Sequence, residues 1–192
     1  MQKLTTADIK DLREYERERE TFLADVIKMK KRRRVKLGEL MSIVFENATT
    51  MRFQIQEMAR AEKMLHDEQI AQELEVYNAL IPEDGELRAT CFIEIEENAE
   101  LREWLPRLVG IEDHVHVVFG DDKVSAREED AERLTREDIT STVHYFTFSF
   151  TAEQETVFAA GPSRIVVDHP EYQAEAVLTD EQRIELAGDF AA

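Results

Sequence analysis

The chain has few of the residues that mark the commonest special classes of protein. Its 192 residues include one cysteine, six glycines and four prolines. A single cysteine excludes an intramolecular disulfide and a cysteine-rich metal cluster, and so few glycines and prolines argue against long flexible linkers. No stretch approaches the roughly 20 apolar residues that a membrane-spanning helix needs. The first residues lack the apolar core of a secretion signal, so the sequence predicts a soluble, cytoplasmic protein that does not bind membranes.

Acidic residues dominate the charge of the chain. The 42 acidic and 24 basic side chains give a net charge of -18, and such a surface repels nucleic-acid phosphates, so nucleic-acid binding is not expected. The hydrophobic share of 43% is enough for a real core. We expect one domain over residues 1–192, with a helix and basic segment in residues 1–37, an α+β body in 38–178 and a C-terminal helix in 179–192.

Apolar spacing predicts the first elements of the chain. Apolar residues recur at helical spacing between Ile9 and Ile27, which predicts a long first helix with a cap near Thr5. A turn-rich segment then separates residues 42–46 from residues 51–56. Because the second of these runs alternates apolar and polar residues, the pair predicts a β-hairpin.

The second half of the chain carries further strand and cap signals. Residues 142–150 predict a strand that directs His144 and three phenylalanines to one face. Residues 151–154 and 179–182 are capping boxes that open helices. The acidic residues 128–130 predict a solvated segment. Strands grouped with short turns, and helices at both ends, predict an α+β fold around a mainly antiparallel sheet.

One basic run stands out in this acidic chain. Seven basic residues fall within residues 28–36, which contain no acid. The run lies at the C-terminal end of the predicted first helix, where the macrodipole favours cations, but a dipole does not require seven of them. The run therefore predicts either ion pairs with the chain's own carboxylates or a site for an anionic ligand or acidic partner. We expect at least one arginine turned inwards, against Glu46 or Glu57, with the lysines outside.

The second strand of the predicted hairpin carries a row of long polar side chains. This row would line a pocket or a partner groove, or would be an ordinary solvent-facing strand face. Together with the basic run it gives nine candidate residues for ligand or partner binding: Arg32, Arg33, Arg34, Lys36, Arg52, Gln54, Gln56, Glu57 and Arg60.

Histidines supply the candidate metal ligands. His114 and His116 lie two apart on a predicted strand, a spacing that can supply two ligands to zinc or iron. Two histidines leave the coordination shell unfilled, so we expect no stoichiometric metal there and no cofactor. His144 and His169 are candidates for acid–base groups or for structural hydrogen bonds at strand ends. Cys91 lies in an apolar strand and is expected to be a small core residue.

Six short stretches of the chain resemble a bacterial family of uncharacterised proteins, a domain of unknown function. They are residues 30–35, 45–47, 54–58, 77–80, 143–145 and 168–170. The resemblance covers nearly the whole chain. Genes of that family often lie beside genes for rubrerythrin-like proteins and for iron–sulfur or flavin oxidoreductases. The resemblance therefore implies an association with redox or oxidative-stress chemistry, but it implies no activity and no catalytic residues.

Two classes of function fit these patterns. The first is a non-catalytic accessory or interaction protein whose basic segment docks on an acidic surface, its own or that of a redox partner. The second is a small-molecule or metal-binding enzyme whose pocket, suited to an anionic ligand, lies over the polar hairpin face. The sequence contains no nucleophile elbow, Walker loop or dinucleotide fingerprint, which favours the first class. The apolar stripe of the first helix also predicts a homodimer.

Overall fold

A long first helix opens the fold. The computed structural model describes residues 1–128 and 138–191, and this helix, α1, covers Leu12–Arg33 after a short 3-10 turn at Thr6–Asp8. The predicted cap at Thr5 stands at the start of the 3-10 turn. The side chain of Asp11 caps α1, because it accepts two main-chain hydrogen bonds of 2.9 Å from the first turn. The predicted helix is confirmed, with a later start.

Two four-stranded antiparallel sheets account for the strands of the described residues. The first sheet consists, in spatial order, of β1 (Arg34–Leu37), β2 (Met41–Glu46), β3 (Glu86–Ile93) and β6 (Val143–Ser149). The second consists of β5 (Asp122–Ser125), β4 (Val115–Phe119), β7 (Ser163–His169) and β8 (Tyr172–Val177). The predicted α+β fold with antiparallel pairing is thus confirmed.

Further helices cover both ends of this arrangement. They are α2 (Ala48–Glu62), α3 (Asp67–Asn78), α4 (Asn98–Arg107), α5 (Ala152–Ala160) and α6 (Asp180–Ala187), with 3-10 turns at Ile111–His114 and Gly188–Ala191. The two predicted capping boxes are confirmed, since the hydroxyls of Thr151 and Thr179 accept main-chain hydrogen bonds of 3.3 Å and 3.1 Å at the starts of α5 and α6. In the part of the chain that the structure describes, no helix has the length and apolar content to cross a membrane.

Residues 51–56 were predicted as a strand and belong instead to α2, so this prediction was wrong. The decisive feature is a reciprocal cap. The Asn47 side chain accepts a hydrogen bond from the main-chain N–H of Thr50 at 2.9 Å, and the Thr50 hydroxyl accepts one from the N–H of Asn47 at 2.9 Å. Such a cap satisfies main-chain donors that a helix start would otherwise leave free.

The apolar pattern of this segment fits both structures. Met51 and Ile55 are buried, and residues four apart lie on one face of a helix as well as on one face of a strand. The true hairpin partner of β2 is β1, which joins it through a turn at Gly38. There φ is +64°, a left-handed conformation that glycine adopts without strain.

Apolar residues of both sheets form one hydrophobic core. The first sheet contributes Phe45, Phe146 and Phe148, and the second contributes Val117 and Ile165. On β6, the predicted apolar face is confirmed, because His144, Phe146 and Phe148 are all buried. The expectation that the single cysteine is a core residue is also confirmed by its complete burial.

Residues 126–128 carry the chain from the second sheet to the first. The Ala126 N–H donates to the carbonyl of Val115 at 2.8 Å. Arg127 and Thr147 then exchange two main-chain hydrogen bonds of 2.9 Å. This crossing places Glu128 beside β6, at the junction of the two sheets.

Candidate metal centre

His144 is the buried centre of a polar cluster at this junction. Its side chain is fully enclosed, and its Nε2 lies 3.1 Å from the main-chain carbonyl of Ser141 and 3.1 Å from the hydroxyl of Thr140. A carbonyl can only accept a hydrogen bond, so Nε2 carries a proton. The other ring nitrogen, Nδ1, faces the carboxylate of Glu128.

Glu128 is the first of these acidic residues. Its side chain is only 1% exposed, so the prediction that residues 128–130 are solvated is wrong at this position, while Glu129 and Asp130 lie outside the described residues. One carboxylate oxygen accepts a hydrogen bond from the main-chain N–H of Tyr145 at 2.7 Å. The other lies 2.9 Å from His144 Nδ1. The carboxylate is thus fixed by main chain on one side and faces the imidazole on the other.

Glu112 is the second acidic residue of the cluster. It lies in the 3-10 turn Ile111–His114, which follows a left-handed Gly110 with φ of +87°. The residue is 9% exposed. Its buried Oε2 has no hydrogen-bond partner among the described residues. A buried carboxylate oxygen without a partner is unusual in a folded protein and calls for a physical account.

The ligand atoms of Glu112, Glu128 and His144 all lie within 4.8 Å of one another. Two carboxylates and one imidazole therefore share a nearly dry space. Moving a charge out of water costs several kcal/mol unless an opposite charge or a proton offsets it. Within residues 1–128 and 138–191, the only ion pair of these carboxylates is the one with His144. A proton shared with the imidazole balances one of them, and a bound cation would balance both.

The donor set defines which cations would fit. Imidazole nitrogen together with carboxylate oxygen suits zinc, iron and manganese, with bonds of about 2.0–2.2 Å. The hydrogen bonds from His144 to Ser141 and from Tyr145 to Glu128 are outer contacts of the kind that orient metal ligands and fix the histidine tautomer. Cys91 pairs with His144 across β3 and β6, and burial raises the pKa of its thiol, so it stays neutral.

The basic run is largely tied into the fold. Arg33 is 1% exposed. It donates to the carbonyls of Phe45 at 2.8 Å and Glu46 at 3.2 Å and forms ion pairs with Glu185 and Asp189. The expected inward arginine therefore exists, but its carboxylate partners come from the C-terminal helix region. Glu46 contributes only its main-chain carbonyl.

The rest of the run lies nearer to solvent. Arg32 pairs with Glu185 at 3.1 Å, and Arg34 contacts the carboxylate of Glu94 and the hydroxyl of Ser42, both at 2.7 Å. Lys30, Lys31 and Lys36 form no ion pair with any described residue. The three arginines thus pair with carboxylates of the chain. Lys31 and Lys36 are exposed, as the sequence predicts, and Lys30 is half-buried.

The predicted polar strand face is a helical surface packed against α1. Glu57 accepts two hydrogen bonds from Arg19, at 2.8 Å and 2.7 Å, and one from the Tyr15 hydroxyl at 2.8 Å. Arg60 pairs with Glu16 at 3.0 Å. The nine candidate residues therefore do not meet: Arg19 and Arg33 are 14 residues apart on α1, or about 21 Å at the helical rise.

The remaining members of that row have separate environments. The guanidinium of Arg52 lies over the ring of Phe22, 4.7 Å from its centroid. Gln56 bonds to the main chain of Lys10. Gln54 is partly buried and has no side-chain hydrogen bond to another described residue. A row that a strand would align is thus spread around a helix.

His114 and His116 meet on one carboxylate. His114 Nδ1 lies 2.9 Å and His116 Nε2 lies 3.1 Å from the same oxygen of Asp168. The hydrogen bond from His114 is the chief reason that the pKa of Asp168 lies below its ordinary value. His116 lies on β4 as predicted, whereas His114 ends the preceding 3-10 turn. That no metal binds at this pair stays a prediction.

Sequence reasoning missed two of the three residues of the buried cluster. Glu128 opens an acidic stretch and was therefore assigned to solvent, and Glu112 received no role. The available signal was His144, which shares a buried strand face with phenylalanines. A histidine in that position needs polar partners from elsewhere in the fold, but no spacing in the sequence identifies them.

Comparisons with known proteins agree with the fold. A family model described as a protein of unknown function (DUF3501) matches residues 3–190. The crystal structure of a novel protein of unknown function from Burkholderia pseudomallei is similar, with a TM-score of 0.90 and 36% identity over 98% of this chain and 99% of that chain. No curated protein matches the chain. These findings extend over nearly all of the chain, as the resemblance noted in the sequence does.

Proposed function

Since this chain belongs to the DUF3501 family, whose description names no activity, we propose its function from the geometry: it binds one divalent transition-metal ion at Glu112, Glu128 and His144. The observation that carries the proposal is the buried Oε2 of Glu112, which has no partner among the described residues. The carboxylate to which it belongs has an oxygen within 4.8 Å of the ligand atoms of Glu128 and His144. A cation placed between these atoms would satisfy all three.

The orientation of the ligand side chains supports a metal ion rather than a shared proton alone. His144 already directs Nδ1 towards the carboxylates, because Nε2 is held by Ser141. Glu128 already directs one oxygen towards the same space, because Tyr145 holds the other. A proton would pair His144 with Glu128 and would leave the charge of Glu112 unbalanced. A divalent ion brings two positive charges to two carboxylates, so it neutralises the cluster.

The position of the site supports a role that joins the two sheets. Glu112 lies in the turn that precedes β4 of the second sheet, whereas Glu128 lies beside β6 of the first sheet and His144 lies on it. An ion at this point would link the sheets, and its binding energy would add to the stability of the fold. The donors favour iron, manganese or zinc over calcium or magnesium, which prefer oxygen ligands alone.

A metal at this site would be consistent with a role in redox chemistry. The family resemblance implies an association with oxidative-stress systems, and iron or manganese at a site of one nitrogen and two oxygens would be redox-active. We therefore extend the proposal to an accessory protein of a cytoplasmic redox system that acts with a protein partner. Purification from cells with a tag on this chain, followed by identification of bound proteins with and without added iron, checks this part.

Elemental analysis tests the metal proposal. We expect the purified protein, loaded separately with Fe²⁺, Mn²⁺ and Zn²⁺ without oxygen and then desalted, to retain about one equivalent of at least one of these ions. Glu112→Gln preserves the shape of the side chain and removes its charge, so its affinity should fall at least tenfold, since even outer-contact changes cost about 10–100-fold. Asp113→Asn, on the exposed neighbouring position of the same turn, is the matched control.

Two results would overturn the proposal. One is a folded wild-type protein that retains none of the three ions. The other is a Glu112→Gln variant that retains metal as tightly as Asp113→Asn. Circular dichroism of each variant separates these results from a loss of folding.

The homodimer stays a proposal with less support from packing. Of the stripe on α1, Tyr15 and Val26 are buried within the chain, whereas Ile27 is 59% exposed. A dimer would therefore rest on the few apolar side chains that the chain leaves uncovered. Light scattering at micromolar protein decides the point, and a monomer there contradicts it.

A further inference from the structure

A groove lies between the first half of α1, the segment before it, and α2. Its volume is about 410 Å³, within the range of small-molecule sites. Gln56 joins its two sides, because the side-chain amide accepts a hydrogen bond from the main-chain N–H of Lys10 at 2.7 Å and donates one to the Lys10 carbonyl at 3.1 Å. These bonds fix the segment before α1 against α2, so the fold itself forms the groove.

An aromatic group and an arginine form one wall of the groove. Phe22 packs edge-on against Tyr15 and Phe53, with ring centroids 6.4 Å and 5.7 Å away. The guanidinium of Arg52 lies 4.7 Å from the centroid of Phe22. This contact holds the guanidinium against the ring, and its N–H groups donate no hydrogen bond to another described residue.

The acidic residues of the groove are already engaged with donors of the chain. The donors are Thr5 for Asp8, Lys10 for Glu18 and Lys28 for Asp25. Lys10 and Lys28 therefore balance Glu18 and Asp25, whereas Asp8, whose donor Thr5 is neutral, keeps its charge and interacts electrostatically with Arg52.

Besides Lys10, the positive charges of the lining belong to Arg17 and Arg52. Both line the groove, and neither forms an ion pair with any residue in the described ranges 1–128 and 138–191. Two guanidinium groups beside an aromatic wall can hold an oxyanion bidentately and pack its apolar part. We propose that this groove binds a small organic anion, an aromatic carboxylate or phosphate, with Arg17 and Arg52 on the anionic group and Phe22 against the ring.

The groove is independent of the metal centre. It is formed by α1, α2 and the segment before them, which supply none of Glu112, Glu128 and His144. Under this proposal, the ligand set differs from the one expected from the sequence. Arg52 stays a ligand residue, Gln56 becomes a support for the groove, and Arg17 enters although no pattern singled it out.

Isothermal titration with three probes tests the inference. Benzoate and phenyl phosphate carry the two candidate oxyanions on the same ring, and benzyl alcohol carries the ring without charge. We expect at least one anion to bind with a Kd of about 1 mM or tighter, the range of a fragment-sized ligand, and the alcohol not to bind. Binding of one anion alone identifies carboxylate or phosphate as the preferred group.

Variants connect the binding to the groove. Arg17→Gln and Arg52→Gln should each weaken the anion at least tenfold. Arg13→Gln, an exposed arginine of α1 that does not line the groove, should leave it unchanged. The inference is overturned if neither anion binds, if benzyl alcohol binds as well as they do, if both groove variants retain binding, or if Arg13→Gln loses as much as they do.

Discussion

Two buried clusters of charged side chains in this protein differ in how their charges are balanced. Around Arg33, a guanidinium meets two carboxylates and two main-chain carbonyls. At the junction of the sheets, two carboxylates meet one imidazole, and one carboxylate oxygen has no described partner. The first cluster is complete within the chain. Under our proposal, a bound cation completes the second.

The two clusters illustrate the difference between charges that stabilise the fold and charges that would bind a ligand. A cluster whose charges balance internally stabilises one arrangement of the chain, and its removal is felt as lost stability. A cluster with surplus negative charge lowers stability until a cation binds, because a buried charge without a partner costs several kcal/mol. Ion pairs tie Arg32, Arg33 and Arg34 of the basic run into the fold, whereas the acidic junction is the site proposed for a ligand.

The largest effect should come from Arg33→Ala. It leaves Asp189 and Glu185 without their buried partner and frees two main-chain carbonyls, so the free energy of unfolding should fall by about 3–5 kcal/mol. Urea denaturation measures the loss. Arg34→Ala is the control, because its ion pair is half exposed and pairs of that kind contribute about 0–1 kcal/mol. Equal losses in the two variants would contradict the comparison.

The next effect should come from metal at the second cluster. At a free metal concentration of 100 times Kd, the bound ion should raise the free energy of unfolding by about 2.7 kcal/mol. Glu112→Gln should abolish this gain. Without metal the same variant should be as stable as wild type or more so, because it removes an unbalanced buried charge. Thermal unfolding of wild type and variant, each with metal and with chelator, measures both changes. A variant that is less stable than wild type by the same amount under the two conditions would contradict the proposal.

A third ion pair extends the comparison to pH. Arg19 donates two hydrogen bonds to Glu57 and holds the pKa of that carboxyl below its ordinary value. A lowered folded pKa adds stability that is complete above the ordinary pKa of about 4.3 and is lost as the pH falls through the folded value. Glu57→Gln should therefore show a smaller acid-induced loss of stability than wild type. Urea titrations between neutral and acidic pH, with Glu62→Gln as the exposed control, measure it.

The smallest effects should be those of the outer lysines. Lys30→Ala and Lys31→Ala remove charges without an ion pair in the described residues, so each should change the free energy of unfolding by less than about 0.5 kcal/mol. A loss of several kcal/mol at either position would show that the division between inner arginines and outer lysines is wrong.

Local signals in the sequence were sufficient for much of the fold. The capping boxes at Thr151 and Thr179 and the alternation on β6 predict their elements because they depend on neighbouring residues only. The segment at Met51 shows the limit of such signals. Its apolar residues fit a helix and a strand equally, and the reciprocal cap at Asn47 decided for the helix. The single-domain assignment of residues 1–192 stays a prediction.

The candidate centre shows a second limit. His144 could be singled out because a histidine among buried phenylalanines needs a polar partner. Glu128 was assigned to the wrong environment, since an acid in an acidic stretch looks solvated until the bridge between Arg127 and Thr147 turns it inwards. Burial of a carboxylate depends on contacts between distant segments, so composition alone cannot reveal it.

By itself, the sequence determined the class of the fold, the balance of charge and the presence of a basic run that had to be neutralised. Only the tertiary structure decided which charges meet. Arg33 finds Asp189 across 156 positions of the chain, and Glu112, Glu128 and His144 meet only where the two sheets join. Electrostatic energy depends on distance in space and on exclusion of water, and both are set by packing between sheets and helices rather than by order along the chain.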